Sequence, residues 1–165
     1  YGLLFKEILD GELTGNVFHG NSMGLMADGM VRMKIGYNEF SENGWAINIL
    51  GNSINNKIYN NNFLGNTFDV TTNSNQANNV FIHNYWDQYT GYDLDRNGLG
   101  DVPYRPVKLF SYVINRVSAS IILLRSFFAD VINFAEKVSP VITPVNLMDM
   151  EPNIRKNIYA GNQGS

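Results

Sequence analysis

Hydrophobic and polar positions recur along the first two-thirds of the chain with a period of 22 or 23 residues. The clearest marker is an aromatic residue two places after an asparagine, and it stands at Phe18, Phe40, Phe63 and Trp86. Apolar residues also recur five places before each aromatic, at Leu13, Ile35, Ile58 and Phe81. They lie in short alternating segments bounded by Gly and Asn, which is the pattern of strands. The fixed period therefore predicts an all-β solenoid, a parallel β-helix in which each repeat forms one coil of two or three short strands.

The recurring asparagines predict the corners between strands. Asn tolerates the left-handed backbone conformation, and in stacked coils its amide can hydrogen-bond to the coils on either side. Met23 aligns with Trp45 and Phe68, so we expect it to point into the core. A conventional β-sandwich is the alternative fold. Leucine-rich repeats have a similar period, but they need Leu at places that hold Phe, Ile, Val and Met in this chain.

The composition is that of one domain with an appended tail. The chain has 165 residues, of which 44% are hydrophobic and 16% charged, so it can bury one core. We assign residues 1–106 to the coils and 107–165 to a C-terminal segment. The net charge of -3 gives no reason to expect nucleic acid as a partner, and the absence of cysteine excludes disulfides and thiolate metal sites. The first residues fit a coil already under way, so we expect further coils to precede them.

An acidic loop follows the last repeat. Its side-chain oxygens come from Asp93, Asp95, Asn97 and Asp101, and glycines allow a tight wrap. Oxygen ligands at alternate residues are typical of a small Ca²⁺ loop, although Tyr104 stands where an EF-hand needs Glu. The alternative is a loop whose carboxylates cap backbone amides. From the sequence, both interpretations remain open.

Helical periodicity replaces the strand pattern between residues 117 and 138. Apolar residues recur there at intervals of three and four, and Pro140 and Pro144 prevent continuation. The uncharged run from Val117 to Leu124 is far shorter than the ~20 residues that a bilayer needs. We expect this α-helix to cap the open end of the solenoid, as repeat folds require, or to dock on a partner. The candidate docking residues are Ile121, Ile122, Leu123, Leu124 and Phe127.

The segment from Asn84 to Tyr104, NYWDQYTGYDLDRNGLGDVPY, resembles the end of the repeats in the NosD family of periplasmic nitrous oxide reductase maturation proteins. The tail resembles the same family at LFSY (109–112), LLRS (123–126) and TPVNL (143–147). Together these similarities extend from about Asn16 to Pro152. The asparagine-aromatic coils also resemble the wider class of carbohydrate-binding and sugar-hydrolase β-helices.

The resemblance implies a right-handed β-helix in the periplasm that has no catalytic activity and assists copper delivery to nitrous oxide reductase. It also implies copper as the metal, and as partners an ABC-type permease with its ATPase, a copper chaperone and the reductase. The alternative function is a carbohydrate-binding or polysaccharide-active β-helix protein. Glycoside hydrolysis would need two convergent carboxylates, and the coils contain few acids that align with one another.

Copper binding without cysteine requires thioether sulfur and imidazole nitrogen. Met26, Met30 and Met33 align with residues that are polar in the next coil, and His19 aligns with an outward Ser41. We therefore expect the three methionines and His19 to form an exposed soft-metal patch. The alternative is that the methionines fill an irregular surface or cover a contact with a partner.

Overall fold

The computed structural model describes residues 1–73, 78–107 and 147–159, which form twelve short strands. In chain order these are β1 (Leu3–Lys6), β2 (Glu12–Thr14), β3 (Val17–His19), β4 (Met23–Asp28), β5 (Lys34–Gly36), β6 (Glu39–Ser41), β7 (Trp45–Ile49), β8 (Lys57–Tyr59), β9 (Asn62–Leu64), β10 (Phe68–Thr72), β11 (Val80–Ile82) and β12 (Tyr85–Trp86). Nowhere in these three ranges is there a helix with the length and apolar character that crossing a membrane requires. The expected helix at 117–138 and its docking residues lie outside the described residues.

The strands stack into three parallel sheets of four strands each, because every coil contributes one strand to each sheet. The strand orders are β1-β4-β7-β10, β2-β5-β8-β11 and β3-β6-β9-β12. The pairing register follows the repeat: Phe18 pairs with Phe40, Phe40 with Phe63, and Phe63 with Trp86. The predicted all-β parallel solenoid is therefore confirmed. Its handedness and the boundary at residue 106 stay predictions.

The aromatic residues of the repeat form a continuous stack through the core. Ring centroids are 4.8 Å apart between Phe18 and Phe40, 5.2 Å between Phe40 and Phe63, and 4.1 Å between Phe63 and Trp86. The planes of neighbouring rings lie at 8–11° to each other. Parallel strand pairing sets this geometry, since it places equivalent side chains about 4.8 Å apart along the axis.

Among the described residues, two columns of three or more asparagines hold the coils in register. One column contains Asn16, Asn38, Asn61 and Asn84, and the other contains Asn21, Asn43 and Asn66. At a typical step, the backbone N–H and the Nδ2 of Asn38 both donate to Asn61 Oδ1 at 3.0 Å. Asn61 Nδ2 in turn donates to the carbonyl oxygen of Ile35 at 2.9 Å. The predicted bonding between coils is therefore confirmed.

The left-handed backbone conformation does not fall on the column asparagines, contrary to expectation. It falls on the residue before each member of the longer column: Gly15, Tyr37, Asn60 and His83, with φ between 50° and 71°. This residue turns the chain, and the asparagine that follows is then free to use its amide between coils. The corner and the inter-coil bond are thus supplied by two consecutive residues.

Residues 147–159 cross back over the coils, and we call them the C-terminal strap. Three of its contacts are well separated: Asn153 N–H donates to Asn84 O at 2.9 Å, Asn157 N–H donates to Asn62 Oδ1 at 2.9 Å, and Lys156 Nζ lies 2.9 Å from Glu39 Oε2. The three partners belong to β6, β9 and the turn before β12, which stack in one sheet of successive coils. The strap therefore ties neighbouring coils together from outside the repeat.

Asp149, in the strap, ends the longer asparagine column. Its carboxylate, at 0% exposure, takes the place of the next Asn and accepts the N–H and Nδ2 of Asn84 at 2.9 and 3.0 Å. It also accepts the backbone N–H of His83 and the Nε1 of Trp86, both at 3.1 Å. Burial raises the pKa of Asp149, although the hydrogen bonds from Asn84 and Trp86 oppose the rise. An ionisable side chain thus completes a column of amides.

Candidate functional site

Met30 and Met33 lie inside the solenoid, with exposures of 0% and 2%. Their backbone N–H groups donate to Ser53 Oγ at 3.1 Å and to Asn56 Oδ1 at 2.8 Å. Met33 Sδ also accepts the N–H of Gly11 at 3.0 Å. The expected exposure of these two side chains is therefore wrong. The reason is that the polar residues with which they align, Ser53 and Asn56, are themselves buried and bonded between coils.

Met23 and Met26 lie on the outer face of β4. Gly24 faces the core, since a Cβ at this position would lie 3.2 Å from Phe40 Cδ1, and Leu25 is also a core residue. Strand alternation therefore changes phase between Gly24 and Leu25, and the residues on either side of this pair point outward. Both methionines are partly exposed and lie outside the core cluster. The prediction that Met23 points inward is wrong.

Trp45 and Asn48 continue this outer face on β7. In the parallel register, Met23 pairs with Trp45 and Met26 pairs with Asn48. The Trp45 ring also stacks on Phe68, with centroids 5.8 Å apart. Asn48 is only 7% exposed, and neither its Oδ1 nor Trp45 Nε1 has a hydrogen-bond partner among the described residues. The face thus combines two thioethers, an indole ring and two unsatisfied polar atoms.

His19 lies on β3, in a different sheet from Met26 on β4. Its Nδ1 is 3.1 Å from Ser41 Oγ, and its Nε2 is 3.8 Å from Glu42 Oε2. The four residues of the expected soft-metal patch are therefore divided among the core and two sheets. Copper binding by Met26 or His19 individually stays a prediction.

The acidic loop brings its carboxylates together, as the sequence suggests. One oxygen each from Asp93, Asp95 and Asp101 lies within 4.8 Å of the other two. Asp93 also accepts the N–H of Gly98 at 2.9 Å and of Asn97 at 3.1 Å. Desolvation works to raise the pKa of Asp93, but these backbone hydrogen bonds outweigh it and lower the pKa. The amide-capped turn is thus formed, and cation binding at the same oxygens stays a prediction.

A cleft of about 310 Å³ lies beside this loop, between residues 88–92 and 102–104. Tyr89, Tyr92 and Tyr104 contribute to its lining. The Tyr89 hydroxyl donates to Val102 O at 2.7 Å, and desolvation raises the pKa of this phenol. Tyr89 therefore anchors the loop to the last coil. Among the described residues, this aromatic lining is a feature that would suit carbohydrate binding, the alternative function.

Asp149 and Met23 are the residues whose roles the sequence pattern misses. Asp149 lies outside the repeat and 65 residues from its partner Asn84, so periodicity contains no sign of it. For Met23 a sign is present. Small residues recur immediately after it in the alignment, at Gly24 and Ala46, and small side chains at a fixed position indicate close packing against the core aromatics.

These features define a class of protein: a parallel β-solenoid with short coils, amide columns between them and an acidic loop after the last coil. A family model described as "Periplasmic copper-binding protein (NosD)" matches residues 1–92, more than half of the chain. The chain belongs to the NosD family. The family that the resemblance indicated is therefore confirmed.

Two curated relatives extend the similarity beyond the coils. Both are named "Probable ABC transporter binding protein NosD". The protein from Pseudomonas aeruginosa is 27% identical over 172 aligned residues, which cover 94% of this chain and 40% of the relative. The protein from Stutzerimonas stutzeri is 24% identical over 170 residues, covering 92% and 39%. The chain thus spans about two-fifths of the length of these relatives.

Proposed function

We propose that this chain acts as part of a non-catalytic periplasmic protein that assists copper delivery during maturation of nitrous oxide reductase. Its partners in this proposal are an ABC-type permease with its ATPase, a copper chaperone and the reductase. The observation that carries the proposal is the family match over the coils, because the family is described as periplasmic and copper-binding. The names of the two relatives support an association with an ABC transporter.

The acids in the coils support a non-catalytic role, because several of them have structural partners. Asp69 Oδ1 accepts Nδ2 of Asn66 at 3.3 Å, and Asp87 accepts the N–H of Gly65. Asp10 is held 2.6 Å from its guanidinium partner on Arg32. Glycoside hydrolysis requires one carboxyl as acid and a second as base or nucleophile across a substrate cleft. Carboxylates that are held in such structural contacts, within a coil or between coils, are unsuited to those roles.

The proposal is tested in cells by removing the segment expected to dock on the permease. Internal deletion of residues 117–138 should abolish copper loading of the reductase and co-purification with the permease. The measurements are elemental analysis of the purified reductase and affinity purification of the permease. The double substitution Ile121→Glu, Leu124→Glu repeats the test without shortening the chain, in case the deletion fails to fold.

The control is Ile158→Glu, which makes the same kind of substitution once, at a side chain that is 94% exposed. It should leave both copper loading and permease association unchanged. Normal copper content in the reductase after either change to residues 117–138, with the variant protein present at its usual level, would contradict the proposal.

A further inference from the structure

We propose that Met23 and Met26 bind a soft monovalent copper ion on the outer face of β4, beside the indole of Trp45. This inference rests on the proposed function and names the surface that would hold its metal. The binding surface consists of Met23, Met26, Trp45 and Asn48, and we call it the β4–β7 face. It differs from the patch predicted by aligning the coils of this chain with one another, because two methionines of that patch, Met30 and Met33, lie in the core.

The orientation of β4 brings the two thioethers to one side. The paired inward positions of Gly24 and Leu25 leave Met23 and Met26 on the same outer face. Three strand residues span at most about 10 Å, and a methionine side chain has three flexible bonds, so two sulfurs separated in this way can converge on one ion. Both side chains are partly exposed, so an ion can reach them from solvent.

The chemistry of this face suits a soft monovalent cation. The chain has no cysteine, and thioether sulfur is the remaining soft donor besides imidazole. Trp45 pairs with Met23 in register, which places the indole on the neighbouring strand about 4.8 Å away. An indole face attracts a cation through its quadrupole, and tryptophan is the strongest of the aromatic side chains in this respect. Two sulfurs and a ring face together form a low-charge site.

Unsatisfied polar atoms on the same face are a second, independent observation that supports a binding site there. Asn48, the register partner of Met26, is 93% buried and its Oδ1 has no hydrogen-bond partner within the described part of the chain. Trp45 Nε1 is in the same situation. Buried polar groups in native proteins are almost always paired, so an unpaired acceptor beside two thioethers indicates that a bound species completes the site. A water molecule carried by the ion would supply the donor that Asn48 lacks.

The alternative soft donors within the coils are occupied or enclosed. Met30 is fully buried, and Met33 Sδ accepts a hydrogen bond from Gly11. His19 Nδ1 contacts Ser41, and His83 Nε2 lies 3.0 Å from Glu151 Oε2. Binding at Met33, His19 or His83 would first require a native contact to break, and Met30 is closed to solvent. The sulfurs of Met23 and Met26 make no hydrogen bond among the described residues, and both side chains are partly exposed.

The test uses the purified full chain and Ag⁺ alone, a redox-inert stand-in for Cu⁺, followed by competition for Cu⁺ with a chromophoric chelator. One equivalent of Ag⁺ should quench the emission of Trp45, whereas Trp86 is 1% exposed in the core and should not respond. Trp45→Phe should remove the fluorescence response and leave thioether binding measurable by competition. The double variant Met23→Leu, Met26→Leu should lose affinity for Cu⁺ about tenfold or more.

The matched control is Met150→Leu, which removes a thioether that is 56% exposed on the strap. Met-to-Leu changes conserve volume, so all variants should fold, and circular dichroism checks this. Affinity unchanged in the double variant, or lost equally in the control, would overturn the site. If copper loading of the reductase in cells still depends on residues 117–138, that result would leave the proposed function standing. If the site is overturned and copper loading in cells is also normal without residues 117–138, both the site and the proposed function are rejected.

Discussion

Substitution of Asp149 tests how strongly the end of the longer asparagine column stabilises the solenoid. Asp149→Ala removes the acceptor of four hydrogen bonds: those from the backbone N–H of His83, the N–H and Nδ2 of Asn84, and the Nε1 of Trp86. All four donors converge on a carboxylate with no exposure to solvent. Their loss therefore leaves buried donors without partners at the last coil.

The expected magnitude follows from these four donors. Each buried donor left unpaired costs ~1–3 kcal/mol. Water entering the space left by the carboxylate offsets part of this, and so does relief from burying a charge. We therefore expect Asp149→Ala to lower the free energy of unfolding by ~3 kcal/mol net, a large fraction of the stability of an ordinary domain. For a chain of this size, that corresponds to a fall in Tm of ~6–12 °C.

The assay is urea unfolding followed by far-ultraviolet circular dichroism, with Asp149→Asn as the matched variant. Asn keeps an oxygen for the donors of Asn84 and Trp86 but presents an amide to the N–H of His83. It should therefore lose ~1–2 kcal/mol at most. Equal stability of the wild-type, Ala and Asn proteins would show that the column does not need a closing acceptor, and would refute the reasoning.

The same pair of proteins gives a pH dependence with a defined sign. Burial places the folded pKa of Asp149 above the unfolded value of ~3.9, so the native state binds the proton more tightly. The contribution of this group to stability is therefore complete below about pH 3.9 and is lost as the pH rises through the folded pKa. Relative to Asp149→Asn, the wild-type protein should become less stable as the pH increases from about 4. A difference that is constant with pH, or that grows in the opposite direction, would contradict the assignment.

Two further predictions concern the stack and the acidic loop. Phe40→Ala should lower the free energy of unfolding, measured with urea, by ~3–5 kcal/mol, because it removes a fully buried ring that lies between two others. Val17→Ala, at a 59% exposed position of the same sheet, should lower it only a little. Similar losses for both variants would contradict the stacked core. Addition of Ca²⁺ at several millimolar should raise Tm by a few degrees if the acidic loop is a weak cation site, and Asp95→Asn should remove the effect. No shift in wild-type Tm at that concentration would leave only the amide-capped turn.

The spacing of the aromatics predicted the strand pairing residue by residue. Phe18, Phe40, Phe63 and Trp86 occupy the same position in consecutive coils, as their period requires. The acidic loop was equally visible, since its oxygens are close in sequence and meet in space. Such features are local or strictly periodic, so the sequence contains the information needed to place them.

The direction of individual side chains was less predictable. Met30 and Met33 align with polar residues, and polarity usually indicates exposure. In this solenoid, however, Ser53 and Asn56 are buried because their side chains bond between coils. Met23 was misplaced for a different reason, since the alternation of β4 changes phase after Gly24.

The sequence by itself determined the coil, its period and the register of the three sheets. A parallel stack places residues one period apart directly beside each other, and hydrophobic patterning alone fixes that relation. Tertiary structure decided which methionines face solvent and how the longer asparagine column ends. The first depends on a local reversal of strand alternation, and the second on Asp149, which arrives from outside the repeat to meet Asn84. Neither has a periodic counterpart in the chain, so only the packed structure could show them.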